Sequence, residues 1–190
     1  MADPTTRQRV VAAASDAFAR SGLDTVTLDD IAQDAGVHLV TLHRNFPGGR
    51  DEVVMAAVLH QALELKGAIA DVIERATDCE AALVDSVTLT YRTFRDNRAL
   101  AAILTDTSVR SAILGETGGD VHAVAAELWE RIRARAVREG RVVTGASDEQ
   151  VVDHVLRVGM SLIVEPGVVR NARDVRTYVR RFVVPALIVG

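Results

Sequence analysis

The chain has 190 residues, of which 48% are hydrophobic and 25% charged, with a formal charge of −4, so a mainly disordered chain and a surface that binds nucleic acid indiscriminately are both excluded. The length allows one or two modest domains, and a single cysteine, Cys79, excludes a disulfide framework and a zinc knuckle. No apolar run approaches ~18 residues and the start, Met1 to Arg7, lacks a signal-peptide stretch, so the expectation is a cytoplasmic protein with no membrane span.

Apolar residues recur at spacings of three and four between glycine and proline breaks, which predicts an all-α fold of about nine helices. The first helix runs roughly from Thr5 to Ser21 and ends at Gly22, where a positive φ is wanted. Thr27, with Asp30 three residues on, caps a short helix to Ala35, and a second short helix follows from Leu39 to about Phe46. A long helix starts near Arg50 and reaches Arg75, with Val54, Val58, Ala62, Leu65, Ile69, Val72 and Ile73 in one stripe. Thr77 to Glu80 reads as a capping box for a helix through Tyr91 and Phe94. The stretch from Arg98 to Gly115 is weaker, with a break at Thr105 to Ser108, and Gly118-Gly119-Asp120 leads into a helix from Val121 to Glu139. Ser147 to Gln150 opens a helix that ends before Pro166, and Asn171 caps the last one, which Pro185 kinks or frays. The expected domains are 1–50 and 51–190.

The two short helices joined at Ala35-Gly36-Val37 carry the chemistry. A helix-turn-helix needs a small residue at the crossing (Ala32), glycine in the turn (Gly36) and apolar locks such as Ile31, Val37 and Leu42. The second helix is then free to enter a major groove. Arg9 to Ala14, Phe18 to Gly22, Val26 to Ala32, Ala35-Gly36-Val37, Thr41-Leu42 and Phe46-Pro47 together resemble the DNA-binding domain of the TetR/AcrR transcriptional regulators over about residues 7–60. The resemblance implies a homodimeric helical repressor whose C-terminal domain binds a small-molecule inducer. It implies phosphate contacts from Thr27, itself also a helix cap, and Thr41, and a groove face of His38, Leu39, Val40 and Arg44. His38 stands where the family usually has a Ser or Thr cap, and His43 stands where it usually has a phosphate-touching Tyr. Arg50, one residue later than the usual Lys, is the expected phosphate ligand, with Gly48 and Gly49 opening backbone N–H groups beside it. Arg44 has the geometry to read guanine, while Val40 or Leu39 suits a thymine methyl; plain packing and a solvated charge are the bland alternatives.

Two features temper this reading. The first fifty residues hold five arginines against six acids, Asp3, Asp16, Asp24, Asp29, Asp30 and Asp34, so the domain is not basic overall. The chain has twenty-one arginines and one lysine, Lys66; the guanidinium fork suits phosphate, but the bias is read as codon composition.

No nucleophile elbow, Walker sequence, HExxH or GxGxxG occurs, and carboxylates beside Cys79 disfavour its thiolate, so no enzyme is expected. His38 and His43 lie ~140° apart on a helix, and His60, His122 and His154 stand among apolar neighbours, so neither metal nor cofactor is expected. Tyr91, Phe94 and Trp129, with Ala125 one turn from Trp129, are expected to line a ligand cavity, although their spacing also fits a plain core. Val152, Val155, Leu156, Gly159, Leu162 and Ile163, then Val175, Val179 and Phe182, form two apolar stripes that a two-fold partner would cover as a four-helix bundle. The alternative is that both stripes pack inward on the Trp129 helix. The function expected is a ligand-responsive regulator, a repressor that binds a palindromic operator as a homodimer and is released by a small apolar or amphipathic ligand. The alternative is a helical interaction module or enzyme that keeps the helix-turn-helix shape without binding DNA.

Overall fold

A computed structural model describes residues 4–105, 107–143 and 145–189, and the side chains of these except at 102–120 and 142. The elements are α1 (Thr6–Ser21), α2 (Leu28–Asp34), α3 (Leu39–Asn45), α4 (Gly49–Arg75), α5 (Cys79–Asp96), α6 (Arg98–Thr105) and α7 (Thr107–Arg138). Strand β1 (Val142–Val143), α8 (Asp148–Val164), α9 (Ala172–Tyr178), a π turn (Val179–Val183), α10 (Val184–Leu187) and β2 (Ile188–Val189) complete it. The π turn joins α9 to α10 without a break, so the described residues form nine helical runs, as the periodicity predicts. The short strands pair antiparallel, Val142 with Val189 and Val143 with Ile188.

Local chemistry sets the helix starts. Thr5 with Gln8, Thr27 with Asp30 and Ser147 with Gln150 form complete capping boxes, and Asn171 accepts from the N–H groups of Arg173 and Asp174. The box expected at Thr77–Glu80 does not form. Asp78 caps α5 instead, accepting the Ala81 N–H at 2.7 Å, while Glu80 accepts from Arg141 at 2.5 Å. A carboxylate one residue nearer the helix displaces the hydroxyl, and the Thr77 Oγ1 donates to Asp78 at 3.2 Å. Nor does Gly118-Gly119 interrupt a helix, because α7 runs through it from Thr107 to Arg138. Isolated glycines cost roughly 1 kcal/mol each but do not block the helical hydrogen bonds as proline does. The expected break at Thr105 to Ser108 centres on Asp106, which lies outside the described residues.

Two compact units result, 1–64 with 96–113, and 65–95 with 114–190. The division therefore differs from a single cut at residue 50. The first half of α4 supplies Val53 and Ala57, and α6 supplies Ala99, to the first core beside Val10, Phe18, Ile31, Leu42 and Phe46. Each fully buried large side chain there contributes about 1.5–3 kcal/mol, a force too large for α4 to begin a separate domain at its first turn. Gln61, also on α4, is buried in this unit and donates to the Ser15 carbonyl at 2.9 Å. The second core gathers Ile69, Ile73, Leu83, Val84, Tyr91, Trp129, Ile132, Val151, Val175 and Val179. An 18-residue window of α4 reaches a mean hydropathy of 1.4, enough to cross a membrane by length and composition alone. His60, Gln61, Glu64 and Lys66 interrupt it, which is why no continuous apolar run marks it in the sequence.

In the second unit α7 fastens the turn between α4 and α5. Arg135 donates to the carbonyls of Ile73 at 3.0 Å and Ala76 at 2.6 Å, and to Glu139 at 2.8 Å; Glu139 in turn accepts the Cys79 N–H at 2.9 Å. The Cys79 N–H bond, above all, holds the Glu139 carboxyl below its ordinary pKa of 4.5. A lowered carboxylate contributes stability above its unfolded pKa and loses it as pH falls through the folded value. Thermal unfolding of Glu139→Gln should therefore lie below wild type at pH 7, with the gap closing as pH drops below about 4.5. A gap that stays constant from pH 7 to pH 3 would show that the charge of Glu139 is not what fastens the turn.

Candidate nucleic-acid interface

The turn between α2 and α3 has a physical definition. The Gly36 N–H donates to the Gln33 carbonyl at 3.0 Å and the Val37 N–H to the Ala32 carbonyl at 2.9 Å, the paired bonds of a Schellman motif. Gly36 sits at φ +63°, a conformation an L side chain adopts only under strain. Val37 packs back on the core and Leu42 is fully buried, so the angle of α3 is locked by its inner face.

The outer face of α3 is then decided. Val40 is 72% exposed, and His43 and Arg44, three and four residues on, are exposed beside it. An apolar residue that exposed is not core, so the packing alternative fails for Val40. Leu39 behaves differently: it is half-buried, packed in part against the first core. His38 is the N-cap residue, is exposed, and makes no side-chain cap bond, so the end of α3 lacks the bond that Ser or Thr would supply. Thr41 is half-buried, and its carbonyl accepts from the Asn45 side chain at 2.8 Å. From residue 35 to residue 50 there is no Asp or Glu, while His38, His43, Arg44 and Arg50 fall within it.

Two of the six acids have partners away from α3. Asp30 closes the box with Thr27, accepting from the Thr27 hydroxyl at 2.6 Å and the Thr27 N–H at 2.9 Å. The hydroxyl bond, the larger cause, holds the Asp30 carboxyl below its ordinary range. Thr27's donor is thus turned toward a carboxylate, which makes it a cap first. Asp34 pairs with Arg20 at 3.6 Å, and Asp3 lies outside the described residues.

Three expected phosphate donors are engaged inside the protein. Arg50 donates through Nη1 to the Val26 carbonyl and through Nη2 to the Leu23 carbonyl, with its guanidinium 5.7 Å from the Phe18 ring centre. The Gly48 N–H donates to Glu52 at 3.0 Å and the Gly49 N–H to the Phe46 carbonyl at 3.0 Å. Arg7, missed in the sequence, completes this corner. It donates to the Asn45 carbonyl at 2.5 Å and to Glu52 at 3.0 Å, and lies 4.2 Å over the Phe46 ring. Glu52 is held below its ordinary range by the Gly48 N–H first and Arg7 second. No local spacing signals this group, because its members lie 38 and 45 residues apart in sequence.

In the second unit Tyr91 and Trp129 are core residues, and the Trp129 Nε1 donates to Asp148 at 2.9 Å. Ala125 is half-buried against the same core and Phe94 is half-buried. A cleft among the described residues lies elsewhere, lined by Ile73, Glu74, Glu130, Arg131, Arg135 and Arg138. Tyr91 and Trp129 belong to one buried cluster with Leu128, Ile132 and Val151. Of the two terminal stripes, Val152, Leu162, Val175 and Val179 are buried in their own unit. Val155, Leu156 and Ile163 are half-buried against that core, Gly159 is half-exposed with open space around it, and Phe182 is 57% exposed. Met160 and Val164 are exposed beside them, and the π turn presents Phe182 against Tyr178 with ring centres 5.0 Å apart. Cys79 is buried, and burial first, then Glu139, pushes its thiol up to about 11, which disfavours nucleophilic chemistry.

A helix-turn-helix with a solvent-facing, acid-free second helix, carried by an otherwise helical chain, defines a transcriptional regulator of the helix-turn-helix class. Residues 10–57 match the bacterial regulatory proteins of the tetR family. An uncharacterized HTH-type transcriptional regulator of Mycobacterium tuberculosis is 33% identical over 182 residues, covering 93% of this chain and 83% of that one. The chain belongs to the TetR family. Among solved structures, a protein of Saccharomonospora viridis in complex with choline has a TM-score of 0.68 at 16% identity, covering 97% of this chain and 98% of that one. The TetR-family repressor AlkX of Dietzia sp., implicated in biodegradation of n-alkanes, has a TM-score of 0.63 at 19% identity, with 96% and 97% covered.

Replacing Gly36 by Ala tests the turn. Nothing lies within 4 Å of the added Cβ, so the cost is backbone strain alone, about 1 kcal/mol. Calorimetry should show a melting temperature lower by roughly 2–4 °C, and an unchanged value would mean that the turn is not held at positive φ.

Proposed function

We propose that this regulator is a ligand-responsive repressor that binds a palindromic operator as a homodimer. The observation that carries the reading is the exposed α3 face, with Val40 outward at 72% exposure and His43 and Arg44 beside it, in a stretch without acids. In a major groove that face supplies a methyl-sized contact for thymine and a bidentate donor for guanine. Thr41 and His43 serve as phosphate contacts at its edges, and His38 stands at its N-terminal end. The negative net charge confines binding to this face and leaves specificity to a few side chains. Its place of work is the cytoplasm, with the DNA.

The homodimer reading rests on the exposed side of α8 and the π turn. Leu156, Gly159, Met160, Ile163 and Val164 lie along one side of α8, and Phe182 adds an aromatic side chain at 57% exposure. A second copy related by a two-fold axis would bury these, and two α3 helices would then read two half-sites about one helical turn apart. Release by a small molecule, apolar or amphipathic on this reading, is in keeping with the small molecule choline bound by the Saccharomonospora viridis protein. Any such ligand must bind the DNA-incompetent state more tightly, and operator DNA must then weaken its binding by the same factor.

A gel shift with the DNA beside its own gene is the direct test, with a discrete complex competed by unlabelled specific DNA as the supporting result. On that DNA, Arg44→Ala should cost about 1–3 kcal/mol and relax preference at one base pair per half-site, read from competition with single-base variants. Unchanged affinity and preference would remove Arg44 from the groove. Phe182→Glu combined with Ile163→Glu should sediment as a monomer and lose tight binding to the palindrome. A wild-type protein that sediments as a monomer at micromolar concentration would end the homodimer reading.

A further inference from the structure

We propose that Arg50 is a positioning residue for DNA binding, acting through the loop between α1 and α2 and not by contact with a phosphate. The proposal rests on the regulator reading above and concerns which residues make its interface work.

Arg50 is the second residue of α4, and its fork reaches across the first unit to carbonyls 24 and 27 residues earlier, those of Val26 and Leu23. Both carbonyls belong to the loop that follows Gly22, where no strand or helix offers them a partner. Val26 is buried, Leu23 is half-buried against the core, and the guanidinium itself is half-buried near Phe18. The next residue after Val26 is Thr27, the N-cap that starts α2. The guanidinium thus anchors the loop immediately ahead of the Thr27 cap, and α2 carries the Schellman turn that aims α3.

A planar fork meets the two carbonyls with a separate nitrogen for each; an ammonium has its three donors on one nitrogen, on a shorter stem, and does not reproduce that two-point geometry. The end of the side chain that would meet a phosphate is the end that holds the loop. Charge at this position is therefore necessary but not sufficient, and geometry carries the effect.

The test uses full-length Arg50→Ala and Arg50→Lys with a DNA duplex selected by the wild-type protein from a random-sequence pool. Binding is measured over a salt series, at a temperature where circular dichroism shows every protein fully folded. Amide hydrogen exchange is followed across residues 23–30. The expected result is about tenfold weaker binding in both variants, the worth of one or two charge-assisted hydrogen bonds. The slope of log K against log salt should stay at the wild-type value, and exchange at Val26 to Asp30 should quicken. A phosphate contact would instead lower the slope by about 0.9 per protomer and be restored by lysine, and that result overturns the proposal. Wild-type affinity in the fully folded variants, or unaltered exchange at residues 23–30, overturns it as well. If the wild-type protein selects no DNA, the regulator reading fails, and the exchange comparison still decides the clamp.

Discussion

An arginine side chain keeps its charge at every pH a protein tolerates and carries five N–H donors in one plane, while loops and helix ends leave carbonyls without partners. This chain brings the two together at three places. Arg7 holds the Asn45 carbonyl at the end of α3, Arg50 holds Leu23 and Val26 ahead of α2, and Arg135 holds Ile73 and Ala76 at the end of α4. Each link joins segments distant in sequence at a point that no helix or sheet ladder reaches. A carbonyl left without a partner when partly buried is costly, so the Arg50 and Arg135 forks, which are part-buried, steady the segments they hold. The twenty-one arginines are in part a structural resource, beyond any codon bias.

The outer face of α3 stands apart from what these forks engage. Arg50 is held by the Leu23 and Val26 carbonyls, the exposed Arg7 by Asn45 and Glu52, Arg20 pairs with Asp34, and the Gly48 and Gly49 N–H groups are taken by Glu52 and Phe46. What the first unit presents on α3 is small: one apolar side chain, one arginine and exposed imidazoles. In the operator contact proposed above, the few charges on α3 leave discrimination to base contacts. The acids of α2 fit the same economy, since Asp30 serves its own helix cap.

The second unit applies the same chemistry to hold a long helix pair. Arg135 and Glu139 of α7 and its extension tie the end of α4 to the start of α5, Arg141 ties Glu80, and Arg176 ties Asp85 at 2.6 Å. Trp129 spends its one N–H on Asp148 at the start of α8. These bonds tie α7 and its extension to α4, α5 and α8. The apolar side left uncovered by them, around Met160, Val164 and Phe182, lies on α8 and the π turn.

What the sequence determined by itself is whatever depends on neighbours within a turn or two. The capping boxes at Thr27 and Ser147, the Asn171 cap, the positive φ of Gly36, the stripe of α4 and the nine helical runs are all short-range. The helix-turn-helix is legible for the same reason, since its glycine, crossing residue and locks fall within a dozen positions. The tertiary structure decided everything that turns on which side of a residue is covered. It buried Val152, Leu162, Val175 and Val179 but exposed Met160 and Val164, although all six are apolar and helical. It left Leu39 half-buried and Val40 exposed, and it spent Arg50 on two carbonyls that no spacing rule connects to it. Periodicity states that a residue lies on a face; only the packing of distant segments states what that face meets, because burial and a hydrogen-bond partner are properties of pairs.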